Sequence, residues 1–304
     1  MAQSYPSRPV RMVIPWPPGG ANDILGRVLA SALTKTLGQN VVIENRPGAN
    51  GLMGADVVAK AANDGYTLMF HSITSQVTNP AFYKYIPYDS IQDFAPITQI
   101  AAIPLVIVAN PSLQASSVDE LVKLAKSQPN MINYASFGNA SISHLAGELF
   151  NKLGGVRLVH VSYKGSGPAM TDTVGGQVPL FFASIAPSLP LIQSGKLNAL
   201  AVTSLTRSKQ LPNVPTVAES MLFKGYEAVG MFAVWAPKNT PTEIIMLLNR
   251  AIKTAMISTD FKSAIENLGA TDPIGNSPEE MAKTILSDME KLTNLVKSAG
   301  IRAD

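Results

Sequence analysis

IPWPPGGANDILGRV (residues 14 to 28) joins a strand-like run to a helix-like run through a glycine-rich turn. The preceding residues, VRMVIPW (10 to 16), are rich in β-branched side chains and predict a short strand. From residue 22 to 37 the apolar positions recur at the spacing of one helical face, and Gly38 is expected to end that helix as its C-cap. A strand, a tight turn and a helix in this order indicate an α/β protein.

The same pattern continues along the chain and is then repeated. NVVIENRPG (40 to 48) and DGYTLMFHS (64 to 72) predict two further strands, with a helix in GADVVAKAA (54 to 62) between them. About 120 residues after the first unit, MINYASFGNASISHLAGELFNKLGG (131 to 155) again gives strand, turn, helix and terminal glycine. Strands that alternate with helices predict parallel sheets covered by helices. We therefore expect two similar α/β lobes, each with its own sheet.

The C-terminal part predicts helices that bring the chain back to the first lobe. TPTEIIMLLNRAIKTAM (240 to 256) and SPEEMAKTILSDMEKLTNLVKSAG (277 to 300) have helical periodicity. Thr242 and Ser277 are candidate N-caps, and Glu280 would complete a capping box with Ser277. The expected lobes are 1–104 plus 231–304 for lobe one and 105–230 for lobe two.

Composition excludes several classes of function. The 304 residues are 46% hydrophobic and 15% charged, with a net charge of +3. The 24 basic residues are scattered, so nucleic-acid binding is not expected. The absence of cysteine excludes thiol nucleophiles, thiolate metal sites and disulfides. The most apolar run, IAAIPLVIVA (100 to 109), is far shorter than the roughly 20 residues that span a bilayer, and it predicts a strand.

Two loops have the chemistry to hold an anion. At Gly19 and Gly20 the backbone can approach a ligand closely, and the following helix offers unpaired N–H groups and a positive dipole end. The loop SFGNASIS (136 to 143) would add the hydroxyl groups of Ser136, Ser141 and Ser143. If the lobes face each other, both loops meet at one cleft that suits a small carboxylate. A loop of either kind, taken alone, is more often a tight strand-to-helix connection, and an Asp at position 23 is more often a helix cap than a ligand group.

The residues for catalysis are sparse. The sequence has no P-loop, no nucleophile elbow, no HExxH zinc motif and no dinucleotide fingerprint, and KGSGPA (164 to 169) lacks the ending of a phosphate loop. His160 falls in a strand pattern and is expected to be structural, whereas His71 could line the cleft or cap the sheet. A Ser141–His144 pair would lie on one helix face without an acidic group to orient it.

The chain resembles a known family in five ordered segments. They are YPSRPVRMVIPWPPGGANDILGR, VVIENRPGANGLMGADVVAKAANDGYTLMF, IPYDSIQDFAPIT, HVSYKGSGPAMTDTVGGQVPLFF and GKLNALAVTSLTRSKQLPNVPTVAES. Together they are similar to the Bug family, the periplasmic substrate-binding proteins of tripartite tricarboxylate transporters. The resemblance implies a two-lobed periplasmic-binding-protein-like (Venus flytrap, type II) fold with a ligand cleft between the lobes. It also implies a monomer that captures a small carboxylate, either a dicarboxylate or an aromatic carboxylate, and passes it to a membrane permease. A signal peptide is expected to be removed and missing here.

The resemblance implies which positions bind the ligand. The family's carboxylate-binding loop falls on Pro17 to Asp23 and its opposing loop on Ser136 to Ser141, while Ser72 to Thr74 and Tyr163 edge the cleft. The implied ligand-binding residues are Trp16, Pro18, Gly19, Gly20, Ala21, Asn22, Asp23, Ser72, Thr74, Ser136, Gly138, Asn139, Ala140, Ser141, His144, Tyr163, Ala183 and Ser184. No metal, cofactor or catalytic residue is expected.

Two departures from the family bear on the ligand. Family members often carry Asp where this chain has Ala183 and Ser184, which disfavours an amino acid and favours an acidic or apolar-bodied ligand. Trp16 stands where Phe is commoner and could stack on an aromatic acid or simply pack in the core. Two other functions stay open: a ligand sensor for a signalling receptor, and a two-lobed enzyme on an acidic or phosphorylated substrate. The enzyme would have to use Asp23, His71 or His144 as its base.

Overall fold

The protein folds into a mixed α/β structure, seen in a computed structural model that describes residues 5 to 270 and 273 to 298. The ends of the expected lobe one, 1–4 and 299–304, and residues 271–272 lie outside the described residues, as do the last two residues of the predicted 277–300 helix. The strands are β1 (Val10–Ile14), β2 (Val41–Asn45), β3 (Thr67–Ser72), β4 (Phe94–Ala109), β5 (Asn133–Ser136), β6 (Val159–Ser162), β7 (Leu180–Ser184), β8 (Asn198–Val202) and β9 (Val229–Pro237). The helices are α1 (Ala21–Leu37), α2 (Leu52–Ala59), α3 (Ile73–Phe82), α4 (Val118–Ser127), α5 (Ile142–Gly154), α6 (Ser166–Val174), α7 (Ile185–Gln193), α8 (Thr242–Met256), α9 (Thr259–Asn267) and α10 (Pro278–Ser298).

The strands form two sheet halves that share the long strand β4. In the first half β1 is parallel to β2 and β3, and β9 runs antiparallel to β3 and β4. In the second half β5 is parallel to β6 and β7, while β7 and β8 are antiparallel to β4. The sequence predicted parallel sheets only, which is wrong for β4, β8 and β9. The antiparallel strands arise because β4 crosses from one half to the other and β9 returns beside it.

Strand β4 changes partners along its length. Residues Phe94 to Pro104 pair with β9, and Leu105 to Ala109 pair with β7. Its side chains alternate between two cores, as a strand with helices on both faces requires. Leu105 and Ile107 join the core under α4 and α5, whereas Val106 and Val108 join the core under α6 and α7.

The predicted helices follow from local sequence signals. Leu25, Leu29 and Leu33 of α1 are fully buried, and Gly38 ends the helix in the left-handed conformation with its N–H bonded to the carbonyl of Thr34. Gly155 ends α5 in the same way. These predictions are confirmed. They could be made from the sequence because helical periodicity and glycine C-caps depend on residues that are close together in the chain.

The C-terminal helices pack on the first sheet half. Helix α8 contacts α1, and α10 contacts α3. The capping box is confirmed, since the Ser277 hydroxyl accepts from the Glu280 N–H and the Glu280 carboxylate accepts from the Ser277 N–H. The predicted Thr242 cap is wrong, because Thr242 is already helical and Pro241 precedes the helix as N-cap. Helix α2 begins at Leu52, two residues before the predicted start. Within the described residues, no helix combines the length and apolarity needed to cross a bilayer.

Candidate functional site

A cleft of about 650 Å³ lies where the two sheet halves face each other. The first half contributes the loop before α1 and the start of α3. The second half contributes the starts of α5, α6 and α7. The described lining residues are Trp16, Pro17, Pro18, Gly19, Gly20, Ala21, Asn22, Ser72, Ser75, Phe137, Ser141, Ile142, Lys164, Gly165, Ser166, Gly167, Pro168, Met170, Thr171, Val174, Ser184, Pro187, Leu191 and Phe232.

The N-terminus of α1 opens into this cleft without a cap. Gly20 is the N-cap residue and has no side chain to accept a hydrogen bond from the first turn. Gly19 has φ +87°, a left-handed conformation that favours glycine, whereas Gly20 is extended. In the described structure the amides of Gly20, Ala21 and Asn22 have no protein acceptor. Free N–H groups and the helix dipole make this end attractive to an anion.

Asn22 is a buried amide without a partner in the protein. The residue is 6% exposed and lines the cleft, yet neither its Nδ2 nor its Oδ1 atom has a hydrogen-bond partner among the described residues. Leaving such a group unpaired costs about 1–3 kcal/mol. A ligand that reached the first turn of α1 would find a donor here beside the free backbone amides.

Asp23 supports the loop and is turned away from the cleft. Its carboxylate accepts hydrogen bonds from the Gly19 N–H (3.0 Å), the Arg27 Nε (3.0 Å) and the Asn45 Nδ2 (2.9 Å). Burial alone would raise the pKa of Asp23, but the bonds from Arg27, Asn45 and Gly19 outweigh burial and lower the pKa below its usual range. Asn45 also bonds the carbonyl of Trp16 at 3.0 Å. The carboxylate therefore fixes the turn and does not line the cleft, which corrects its expected position.

The loop between β5 and α5 is bonded to itself. The Gly138 N–H donates to the Ser136 hydroxyl (3.1 Å), and the Ala140 N–H donates to the His144 Nδ1 (3.1 Å). The Ser141 hydroxyl donates to the carbonyl of Gly138 (2.7 Å) and caps α5 by accepting from the His144 N–H. These hydrogen bonds occupy the N–H groups of Gly138 and Ala140 and the hydroxyl of Ser141, which the sequence had assigned to a ligand. Of the predicted residues on this loop and its helix, only Ser141 lines the cleft.

The turn before α6 supplies one uncapped helix start of the second half, and the start of α7 after Ser184 is another. Gly165 is the N-cap at φ +114° with no side-chain cap, and the adjoining residues 164 to 168 line the cleft. Pro168 has no N–H, so the donors here are those of Ser166 and Gly167. Lys164 is the one charged side chain among the described lining residues. KGSGPA carried the signal for this turn, but the missing P-loop ending made it look weak.

The other predicted residues divide between the cleft edge and the interior. The Trp16 Nε1 donates to the Nδ1 of His71 (3.2 Å), and His71 lies fully buried behind it. Ser72 and Ser184 line the cleft, whereas Ala183 is buried within β7. Thr74 faces a separate cavity of about 400 Å³. The Tyr163 hydroxyl donates to Asp172 (2.8 Å) and does not line the cleft.

The structure thus brings together half of the predicted binding set. The residues that line the cleft are Trp16, Pro18, Gly19, Gly20, Ala21, Asn22, Ser72, Ser141 and Ser184. The residues outside its lining are Asp23, Thr74, Ser136, Gly138, Asn139, Ala140, His144, Tyr163 and Ala183. The sequence placed the SYKG turn around Tyr163 at the edge of the cleft, but sequence reasoning missed Ser166 to Pro168 and the apolar side chains of α6 and α7.

The histidines are not placed for acid–base chemistry. The rings of His144 and His160 stack with centroids 3.6 Å apart. Burial lowers the pKa of His144 to about 3, with the neighbouring His160 adding to the effect, and burial lowers the pKa of His160 to about 4. Burial also lowers the pKa of His71 to about 3. The Ser141 hydroxyl meets the backbone of His144, not its ring. Among the described residues, no three His, Cys, Asp or Glu side chains converge as metal ligands would.

A cleft between two α/β halves, lined by helix starts from both, defines a two-lobed solute-binding protein. The comparisons with known proteins agree. Residues 25 to 301 match the model of the tripartite tricarboxylate transporter family receptor, TctC, and the chain belongs to that family.

Relatives cover the chain almost completely. The protein BugT of Bordetella pertussis is 39% identical over 302 residues, which are 99% of this chain and 92% of BugT. The structure of R. palustris Rpa4515 with adipate has 35% identity and a TM-score of 0.92, covering 98% of this chain and all of that one. MatC from Rhodopseudomonas palustris with bound malate has 29% identity and a TM-score of 0.87, covering 96% of this chain and all of MatC. The expected family and the two-lobed periplasmic-binding-protein-like fold are confirmed.

Proposed function

We propose that this protein captures a small carboxylate in its cleft, in the periplasm, and delivers it unchanged to the membrane permease of a tripartite tricarboxylate transporter. The observation that carries the proposal is Asn22, a buried amide without a partner beside the uncapped start of α1. A carboxylate would accept from this side chain and from the free amides around it. The similar structures of Rpa4515 and MatC hold adipate and malate, which are dicarboxylates.

Capture requires two lobes that close on the ligand. We assign lobe one to 1–104 plus 231–304 and lobe two to 105–230, because β4 changes its strand partners between Pro104 and Leu105. The lobes approach closely at the cleft: a Cβ atom at Gly165 would lie 3.9 Å from the Cγ of Pro17. A ligand that touches both helix starts in the closed state and one of them in the open state would shift the equilibrium towards closure.

The hydrogen bonds available can supply a useful affinity. A micromolar dissociation constant requires about −8 kcal/mol. Hydrogen bonds to a charged group contribute about 1.5–3 kcal/mol each. The Asn22 side chain and the amides around Gly20 provide several such bonds, and burial of the ligand body adds to them.

The protein is expected to bind its ligand without converting it, because the described lining of the cleft lacks a candidate base for catalysis. The three groups that could act as a base are engaged elsewhere, since Asp23 holds its own loop and His71 and His144 are buried behind the lining. None of them lines the cleft.

A thermal-shift screen tests the function. The purified protein would be heated with aliphatic di- and tricarboxylates, acidic amino acids, and aliphatic and aromatic monocarboxylates, and each hit would be confirmed by calorimetry. We expect one class of acid to raise the melting temperature, and chromatography after incubation to recover that acid unchanged. A screen without any hit contradicts the capture of a carboxylate. A hit that is consumed during incubation favours an enzyme.

A further inference from the structure

The cleft combines one charged side chain and several helix starts with a lining that is largely hydrocarbon. Resting on the proposed function, we propose that the preferred ligand is a monocarboxylate with an apolar body, and that the cleft selects against di- and tricarboxylates. The proposal follows from where the donors, the charge and the hydrocarbon of the lining lie.

Two uncapped helix starts, the unpaired amide and the cation converge at one place. The uncapped starts of α1 and α6 are next to each other, since Pro17 before α1 lies against Gly165, the N-cap of α6. The unpaired amide of Asn22 and the cation Lys164 belong to the same two segments. One carboxylate would therefore collect the free amides, the Asn22 side chain and the positive charge together.

Within α6 and α7, the second lobe presents hydrocarbon to the cleft. Met170 and Val174 project from α6, and Pro187 and Leu191 from α7. Val174 comes eight residues after Ser166, which places it about 12 Å along the axis of α6 from its first residue. Phe137 and Phe232 add aromatic surface to the same cleft. The body of the ligand would lie along this surface and be removed from water.

A second carboxylate would meet no cation there among the described residues, because the start of α7, although also uncapped, adds only neutral donors such as the hydroxyl of Ser184. Lys164 is the sole charged side chain among the described residues of the lining, and it lies directly before Gly165, the N-cap of α6. The hydroxyl of Thr171, the polar side chain on the apolar stretch of α6, already donates to the carbonyl of Gly167 (3.2 Å). Arg27 lies outside the lining and is bound to Asp23 and Asn45. A second charge would be desolvated beside hydrocarbon with only neutral donors, and no cation of the described lining, to compensate it.

Matched acids of equal length test this preference on the wild-type protein. We would measure dissociation constants by calorimetry for octanoate against suberate, which differ in the second carboxylate alone, and for 4-ethylbenzoate against terephthalate. We expect the monocarboxylate of at least one pair to bind at least about tenfold more tightly than its dicarboxylate, which corresponds to about 1.4 kcal/mol. Equal or tighter binding of the dicarboxylates would overturn the inference.

The result separates this inference from the function on which it rests. If dicarboxylates or tricarboxylates bind and monocarboxylates do not, carboxylate capture stands and the preference fails. If no acid in these pairs or in the thermal-shift panel binds, both fail.

A substitution among the apolar lining residues of α7 provides an independent test. Leu191→Lys places a cation on α7 within the cleft, and Leu191→Met keeps the site apolar as its matched control. We expect Leu191→Lys to shift the ratio of suberate to octanoate affinity at least about tenfold towards suberate, with Leu191→Met leaving the ratio unchanged. If the ratio in a folded Leu191→Lys protein equals that of Leu191→Met, the far end of the ligand does not lie on α7 and the inference is refuted.

Discussion

Replacing Asn22 with leucine should stabilise the free protein and weaken its binding at the same time. Both polar atoms of this side chain are buried without protein partners in the described structure. Leucine has a similar size, needs no hydrogen bond and has a slightly better helix propensity. The unpaired amide costs about 1–3 kcal/mol, and Asn22→Leu should recover much of that free energy.

The expected sizes of the two effects can be worked out. At about 2.1 cal/mol/K of unfolding entropy per residue, 1 kcal/mol moves the melting temperature of a 304-residue chain by about 1.6 °C, so Asn22→Leu should raise it by at least about 1 °C. A lost hydrogen bond to a carboxylate costs about 1.5–3 kcal/mol, which weakens affinity by roughly tenfold to a hundredfold or more. Calorimetric scanning gives the first quantity, and titration calorimetry with an acid found in the screen gives the second.

Asn249 is the matched control. It is equally buried at 3% exposure, but its Nδ2 donates to the carbonyls of Ile97 (2.8 Å) and Asn276 (2.9 Å), away from the cleft. Asn249→Leu should lower the free energy of unfolding by about 1–3 kcal/mol and leave affinity unchanged. The reasoning is refuted if Asn22→Leu destabilises the protein as much as Asn249→Leu does, with wild-type affinity.

Three further predictions concern the cleft and its surroundings. Gly20→Leu should abolish binding in the titration with little change in melting temperature, because Gly20 is extended and a Cβ there meets no atom within 4 Å; retained affinity in a folded variant would exclude the first loop as the anion site. Lys164→Gln should weaken binding by no more than about tenfold, because an exposed charge contributes about 1 kcal/mol or less, and complete loss would contradict a site built on amides. The third concerns pH: in the folded protein the pKa of His144 is about 3 and that of His160 about 4, whereas unfolded histidines titrate near 6.5. The unfolded chain therefore binds protons first, so the melting temperature should fall from about pH 6.5 towards pH 4, less steeply in His160→Gln, and equal slopes for both proteins would contradict the assignment.

The sequence predicts the features of this fold that depend on neighbours along the chain. The strand–turn–helix around Gly19 and Gly20 and the glycine caps of α1 and α5 are local, and they are found where the sequence places them. The antiparallel course of β4 and β9 is not local. It depends on a strand returning from residue 229 onwards, which no pattern of spacing within β4 reveals.

In the site, too, the features that depend on neighbouring residues could be predicted, and those that depend on distant residues could not. The uncapped start of α1 could be predicted because the turn that makes it is continuous in sequence. The position of Asp23 could not, because Asn45 on β2 and Arg27 hold its carboxylate. The β5–α5 loop resembles the first loop in sequence, yet His144 takes up the amide of Ala140 and His160 on β6 bonds Ser136 (2.6 Å). Such partners become visible only when the strands are paired.

A comparison of an acid with its own neutral amide tests directly whether the cleft recognises a carboxylate. Titration calorimetry of the wild-type protein would use an acid found in the screen and the primary amide of that acid, which keeps the body and removes the charge. We expect the acid to bind with at least micromolar affinity and the amide to bind at least about a hundredfold more weakly, because the amides at the start of α1 and the side chain of Asn22 are free to bond a carboxylate. An amide that binds as tightly as its acid would contradict this expectation.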